Sequence, residues 1–193
     1  MAFWHCKGMY RSTSQPCRGL FPAGAKWWRS EGGRIKECQA LALPGGESTA
    51  ICRQLESSGL TSELKEAARS GTPIFATCAG LVLLSREVEG DGRVRPLGLM
   101  DTGISRNAFG PQRESFEAEL EIKGLDRPYH AVFIRAPAID HAGRDVEVLA
   151  RVGEAIVAAR QGNMLALAFH PELTEDARVH QMFLNMLEEV DVL

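Results

Sequence analysis

One seven-residue stretch, Phe75-Ala76-Thr77-Cys78-Ala79-Gly80-Leu81, limits the fold more than any other feature of this sequence. The apolar run Pro73–Thr77 predicts a short buried strand, and Ala79–Arg86 predicts a helix that begins directly after Cys78. A strand that turns into a helix at one residue lifts that residue above the edge of the sheet, and small neighbours are needed because the backbone is strained there. The stretch therefore predicts an α/β fold with Cys78 at a sharp elbow.

The thiol of Cys78 is a candidate nucleophile. A helix N-terminus directly after it favours the thiolate, which is the reactive form of cysteine. A buried core cysteine is the commoner explanation for a single cysteine in an apolar segment. The elbow by itself does not distinguish between these two explanations.

A second candidate feature is Ala168-Phe169-His170-Pro171-Glu172-Leu173. In extended chain, residues i and i+2 point to the same side, so His170 and Glu172 can face one site together. The imidazole would deprotonate a thiol and later protonate a leaving group, while the carboxylate would hold the ring in one orientation and tautomer. A single histidine at a strand end is more often structural, but the nearby carboxylate and the cysteine elbow favour catalysis.

A third feature is the loop Leu43-Pro44-Gly45-Gly46-Glu47-Ser48-Thr49. Glycines let a backbone approach a ligand closely, and free N–H groups in such a loop can form an oxyanion hole. A Gly-Gly pair is also ordinary loop punctuation. This loop is informative only together with the other two features.

The chain from Gln39 onward shows regular strand and helix patterns. Strand–helix units followed by a strand-rich segment predict a mostly parallel central sheet flanked by helices. Besides the elements above, we expect strands Ala40–Leu43, Phe116–Ile122, Val132–Ile134, Val146–Ala150, Ala155–Ala159 and Leu165–Phe169, and helices Ser48–Leu55 (closed by Gly59), Thr61–Arg69 (capped by Thr61) and Asp176–Glu189.

Composition excludes several classes of protein. The net charge of -3 gives no electrostatic reason to expect nucleic acid or a membrane surface as a partner. No apolar run approaches the ~20 residues of a membrane span, and the start does not resemble a secretory signal. We therefore expect a cytosolic location, in which the five cysteines are free thiols. The sequence contains no CxxC pair, so we expect no zinc site.

The order LPGGEST, TCAGL and HPE resembles that of class I glutamine amidotransferases, which have a flavodoxin-like α/β domain. Four further segments resemble the glutaminase subunits of pyridoxal 5'-phosphate synthase within that class, over roughly residues 39–189. These segments are Arg106-Asn107-Ala108-Phe109-Gly110, Gln112-Arg113-Glu114-Ser115-Phe116-Glu117-Ala118, Val132-Phe133-Ile134-Arg135-Ala136-Pro137 and Ala158-Ala159-Arg160-Gln161-Gly162.

The resemblance implies hydrolysis of L-glutamine through a thioester on Cys78, with His170 and Glu172 completing a triad. It implies delivery of the ammonia to a separate synthase subunit, and no bound cofactor or metal in this chain. The implied substrate-binding residues are Gly46, Glu47, Ser48, Arg106, Ile134 and Arg135, and the implied oxyanion-hole residues are Gly46 and Ala79. Each arginine suits a substrate carboxylate but equally suits a structural ion pair.

The first 38 residues differ from the rest of the chain. They hold all three tryptophans and seven Lys or Arg against two acidic residues. Where the family opens with a strand close to Val-Leu-Ala-Leu-Gln-Gly, this chain has Phe3-Trp4-His5-Cys6-Lys7-Gly8. Read one base earlier, the codons of this segment permit Val, require Leu-Ala-Leu and permit Gln-Gly, and segments 12–16 and 26–28 agree on the same offset.

We interpret residues 1–38 of a single 193-residue domain as a frameshifted segment, with the frame restored before about Ala40; a divergent but genuine N-terminus is the alternative. A frameshift would remove the family's first strand and the glutamine that borders its substrate site. Two further functions therefore stay open: an impaired relative that only docks on the synthase subunit, and an amidotransferase domain of another pathway.

Overall fold

The structure is a computed structural model that describes residues 2–5, 26–29, 35, 38–90, 92–106, 108–110 and 115–190. Of the quoted sequence motifs, Asn107 and Gln112–Glu114 lie outside these residues, as do Cys6 and Cys17. The strands are β1 Ala2–His5, β2 Lys26–Arg29, β3 Ala40–Leu43, β4 Ile74–Thr77, β5 Ser85–Val88, β6 Met100–Ser105, β7 Ser115–Leu120, β8 Tyr129–Ile134, β9 Ala138–Ala142, β10 Glu147–Val152, β11 Ala155–Gln161 and β12 Met164–Leu167. The helices are α1 Ser48–Ser57, α2 Leu60–Arg69, α3 Ala79–Leu84 and α4 Arg178–Val190, with a 3-10 turn at Pro171–Leu173.

The main sheet has ten strands in the order β2-β1-β3-β4-β12-β11-β9-β6-β5, with β10 paired to β11. Strand β4 lies parallel to both β3 and β12 at the centre, and β5 is parallel to β6. All four residues of β4 are buried, which is typical of a parallel strand covered on both faces. The expected α/β class with a parallel centre is confirmed, and antiparallel pairings extend the sheet on both sides of that centre.

Helices cover the central strands. Helix α3 contacts β3, β4 and β12, while α1 packs on α2 and α3. Helix α4 lies against β4, where the rings of Phe75 and Phe183 stack at 5.2 Å between centroids. No described helix has the length and apolar character that crossing a membrane requires.

A separate two-stranded antiparallel sheet, β7-β8, lies beside the C-terminal segment. Phe116 and Phe133 stack across these strands at 4.4 Å between centroids, and Phe133 meets Phe169 edge-on at 5.6 Å. This aromatic cluster attaches β8 to the segment that follows β12, and that segment contains His170.

Several predicted boundaries were wrong. The helix after Cys78 ends at Leu84 rather than Arg86, because Ser85–Val88 pairs with β6 instead. Thr61 is not a cap: α2 begins at the buried Leu60, and Gly59 precedes it with a left-handed φ of 71°. Strands β6 and β9 were missed because their residues are neither uniformly apolar nor cleanly alternating.

A strand is present near the start of the described backbone. Ala2–His5 forms β1, which lies between β2 and β3 and runs antiparallel to both. The open edge of β3 presents unpaired N–H and C=O groups that any extended segment can pair with, whatever its side chains. A strand therefore occupies this position although its sequence does not resemble the family's opening.

Candidate active site

Cys78 is the turning point between β4 and α3. Its backbone has φ 48° and ψ -104°, one of two positive φ values among the described non-glycine residues. Such a conformation costs about 1–3 kcal/mol and persists where surrounding structure imposes it. Here the N–H of Cys78 donates to the Leu167 carbonyl of β12 at 2.8 Å. The strained elbow predicted from the sequence is confirmed.

Glycine at position 80 lets the elbow sit close to the neighbouring strand. A Cβ added to Gly80 would collide with the backbone carbonyl of Leu43, at the end of β3. Backbone cannot move aside as a flexible side chain can, so the first turn of α3 needs a glycine here. This contact places the thiol next to the loop that follows β3.

His170 and Glu172 lie at the end of β12, beyond Leu167. The His170 N–H donates to the Val132 carbonyl of β8 at 2.8 Å, and His170 Nδ1 lies 2.8 Å from Glu172 Oε1. An ionised carboxylate only accepts hydrogen bonds, so Nδ1 is the donor. The sequence predicted that both side chains face one site, but an extended chain does not produce the arrangement. Pro171 begins a 3-10 turn, and this turn brings the carboxylate to the ring.

The electrostatics join this pair to the thiol. A hydrogen bond with Cys78 and a second one with Glu172 raise the pKa of His170 to about 9, against the effect of burial. Burial pushes the pKa of Glu172 upward, but the hydrogen bond from His170 and a backbone N–H together bring it below its usual value. At neutral pH the imidazole is therefore protonated and the carboxylate ionised.

The loop 44–47 forms one wall of this site. A Cβ on Gly45 would lie 2.6 Å from His170 Cε1 and 3.5 Å from Cys78 Cβ, so the Gly45 backbone lies against the imidazole and near Cys78. The neighbouring Gly46 has a φ of 143°, which favours glycine. Sequence reasoning did not select Gly45 as a site residue, although the Gly-Gly pair was its signal.

Of the predicted oxyanion-hole residues, Ala79 directly follows Cys78, and Gly46 follows Gly45, whose backbone lies near Cys78. Ala79 is the first residue of α3, and the N–H groups of a first helical turn have no intrahelical partner. Gly46 lies in the loop that contacts His170, before the cap of α1.

The predicted substrate-binding residues fall into two groups. Glu47 and Ser48 open α1: the Glu47 carboxylate accepts from the N–H groups of Thr49 at 3.0 Å and Ala50 at 2.7 Å, and Ser48 is buried. These hydrogen bonds lower the pKa of Glu47, with the Arg106 charge 4.0 Å away contributing. Glu47 is thus a helix cap, a role that the sequence reasoning did not predict.

The second group lies at the end of β8. Cys78 Sγ is 3.9 Å from the Ile134 carbonyl, and Ile134 is 37% exposed. The following Arg135 is exposed and has a φ of 43°, the second strained backbone of the described chain. Strain of this kind is concentrated at functional sites. The buried thiol therefore faces the carbonyl of the exposed Ile134.

Metal chemistry has no support in the residues described. Within the described ranges, no group of three or more His, Cys, Asp or Glu side chains is arranged to hold a metal ion. A shallow depression of about 430 Å³ elsewhere, lined by Glu87, Glu89, Asp140 and His141 among others, contains none of the predicted site residues.

Known proteins place this arrangement in one class. A crystal structure of a glutamine amidotransferase matches with a TM-score of 0.76 and 44% sequence identity, covering 80% of this chain and 82% of that one. The fold and site thus define a glutamine amidotransferase.

Sequence relatives narrow the class. Pyridoxal 5'-phosphate synthase subunit PdxT of Methanothrix thermoacetophila is 59% identical over 153 residues, which cover 79% of this chain and 82% of the relative. The subunit of the same name from Methanosarcina barkeri is 55% identical over 160 residues, covering 80% and 79%. The model of the SNO glutamine amidotransferase family matches residues 28–189, and the chain belongs to this family.

Proposed function

We propose that this protein hydrolyses L-glutamine to L-glutamate and ammonia, and supplies the ammonia to the synthase subunit of pyridoxal 5'-phosphate synthase. The observation that carries this proposal is the contact between Cys78, His170 and Glu172, in which one hydrogen-bonded ring joins the thiol of a residue with a strained backbone to a half-buried carboxylate. The pathway is inferred from the relatives, which are subunits of pyridoxal 5'-phosphate synthase.

In the proposed reaction, the Cys78 thiolate attacks the carbon of the side-chain amide, forming a C–S bond. The oxyanion is stabilised by the N–H groups of Gly46 and Ala79. His170 gives its proton to the departing nitrogen as the C–N bond breaks, which releases ammonia and leaves a thioester. The imidazole then takes a proton from water, whose oxygen attacks the thioester, and glutamate leaves as the thiol is restored.

Substrate recognition is assigned to the residues around the thiol. Arg106 and Arg135 carry the cationic groups that suit the α-carboxylate of glutamine. The backbone at Gly46, Glu47, Ser48 and Ile134 would line the remaining space. No pyridoxal phosphate or metal takes part in this chain, and we propose a cytosolic location because the mechanism needs Cys78 as a reduced thiol.

The test is glutaminase activity measured as ammonia release, with and without added synthase subunit. Cys78→Ala should abolish the activity. Cys52→Ala is the matched control, since Cys52 is also a buried free thiol but contacts Arg95 rather than the triad. Activity that survives Cys78→Ala would refute the mechanism.

Residues 1–38 motivate a second candidate, a relative that docks on the synthase subunit without hydrolysing glutamine. We propose a frameshift in this segment, supported by a family match that begins only at residue 28. Binding to the synthase subunit, combined with no ammonia release either with or without that subunit, would favour this candidate. An uninterrupted reading frame encoding Phe3-Trp4-His5 in the gene would remove the frameshift proposal. An amidotransferase of another pathway is disfavoured by the names of the relatives.

A further inference from the structure

One strand, β8, contacts the site at three successive places. The Ile134 carbonyl faces the Cys78 thiol, and the Val132 carbonyl accepts the His170 N–H. At the start of the same strand, the hydroxyl of Tyr129 lies 3.0 Å from the Thr174 hydroxyl. The first two contacts hold the nucleophile and the base, which leaves the role of the third to be explained.

The Tyr129–Thr174 contact fixes the far end of the turn that contains Glu172. Thr174 Oγ1 lies 3.2 Å from the Pro171 carbonyl, and its backbone N–H donates to the same oxygen at 3.3 Å. Each hydroxyl has one proton, so two arrangements connect the core to the turn. Either Tyr129 donates to Thr174 while Thr174 donates to the Pro171 carbonyl, or Tyr129 donates to the Asp176 carbonyl while Thr174 donates to Tyr129. Tyr129 is also within 3.2 Å of the Asp176 carbonyl.

The Tyr129 side chain is tightly packed. Tyr129 is fully buried at 0% exposure, its ring packs against Phe169 at 5.7 Å between centroids, and the Arg178 guanidinium lies over the ring at 5.8 Å. A buried hydroxyl that loses its partners carries a desolvation penalty, so the hydrogen bonds to the turn are maintained. The turn that orients Glu172 is therefore attached to a side chain that is packed on several sides.

We infer that Tyr129 is a positioning residue of the glutaminase reaction: through Thr174 its hydroxyl holds the turn that keeps Glu172 hydrogen-bonded to His170. This inference rests on the proposed function. Tyr129 does not touch the thiol or the substrate; it acts by fixing the distance between the carboxylate and the ring.

Two variants test the inference in the full chain. Tyr129→Phe keeps the packed ring and removes only the hydroxyl, while Thr174→Val breaks the chain with almost the same side-chain shape. Ser85→Ala is the matched control, because it removes another buried hydroxyl, that of the residue following the end of α3 farthest from Cys78, which donates to the Val82 carbonyl. Melting curves identify any variant that fails to fold, in which case the other variant decides.

The first readout is glutamine hydrolysis in the complex with the synthase subunit. We expect kcat to fall about tenfold with KM within about twofold, because displacing a catalytic group by a fraction of an ångström slows the chemical step. The second is NMR titration of the His170 ring, identified with a His170→Gln spectrum. Its midpoint should move from about 9 towards the 6.5 of a free imidazole.

An unchanged kcat or an unchanged titration in the folded variants would overturn the inference, as would an equal change in Ser85→Ala. A wild-type chain that releases no ammonia would instead refute the proposed function. The titration then decides the positioning role by itself, because it needs no turnover.

Discussion

Replacing Gly45 by alanine isolates the contact between the 44–47 loop and the triad. The φ of Gly45 is outside the left-handed region, so its backbone accepts alanine without strain. The added Cβ would lie 2.6 Å from His170 Cε1 and 3.2 Å from Nδ1. The substitution therefore acts on the position of the imidazole rather than on the loop's own conformation.

The size of the effect follows from these distances. Carbon atoms rest about 3.5–4.0 Å apart, so the ring and the loop must separate by about 1 Å. A displacement of this size at a reacting centre reduces the rate about a hundredfold, which corresponds to about 2.7 kcal/mol in activation free energy. Overpacking also lowers the free energy of unfolding, by about 1–3 kcal/mol.

The assay is steady-state ammonia release by the complex with the synthase subunit, alongside thermal melting of each variant. Gly153→Ala is the control: Gly153 has a φ of 57° and open space around it, so alanine there costs about 1–2 kcal/mol of stability without touching the site. A folded Gly45→Ala enzyme with wild-type kcat would refute the reasoning, as would an equal loss of kcat in the control.

Three further predictions follow from the same geometry. Glu172→Gln should lower the pKa of His170 below about 9 and reduce kcat. Both changes would be seen in a profile of kcat against pH, and the prediction is contradicted if the alkaline fall in rate stays at the wild-type pH. Folding raises the pKa of His170 from 6.5 to about 9. The contribution of the protonated ring to the free energy of unfolding is therefore complete below pH 6.5 and is lost as pH rises through 9. Melting at increasing pH should show this loss in the wild type and not in His170→Gln. Glu47→Ala should remove about 1 kcal/mol from the free energy of unfolding measured in urea, since α1 loses its cap. An unchanged free energy of unfolding would show that the cap does not stabilise the protein.

The central elements could be predicted from sequence because each has a strong local pattern. Strand β4 is a continuous apolar run, and a nucleophile elbow requires the small residues that surround Cys78. Strands β6 and β9 have no such pattern. They exist because the neighbouring strands leave backbone groups that need partners.

Some features of the candidate site could likewise be predicted from the sequence, and others could not. Sequence spacing predicted that His170 and Glu172 act as a pair, since they are close in the chain. The helix caps were less predictable. Glu47 was expected to line the glutamine site, and the sequence analysis did not predict that its carboxylate also accepts hydrogen bonds from the first turn of α1. A carboxylate at that position satisfies otherwise unpaired N–H groups, and this local gain determines its conformation.

The sequence by itself determined the chemistry of the groups and the elements that carry them: a thiol between a buried strand and a helix, and an imidazole two residues from a carboxylate. Tertiary structure alone decided that Gly45 touches the imidazole, that Tyr129 anchors the turn and that β1 runs antiparallel to β3. These contacts join residues far apart in the chain. They depend on how strands pair and pack to bury apolar surface across the whole domain, and no local pattern specifies that.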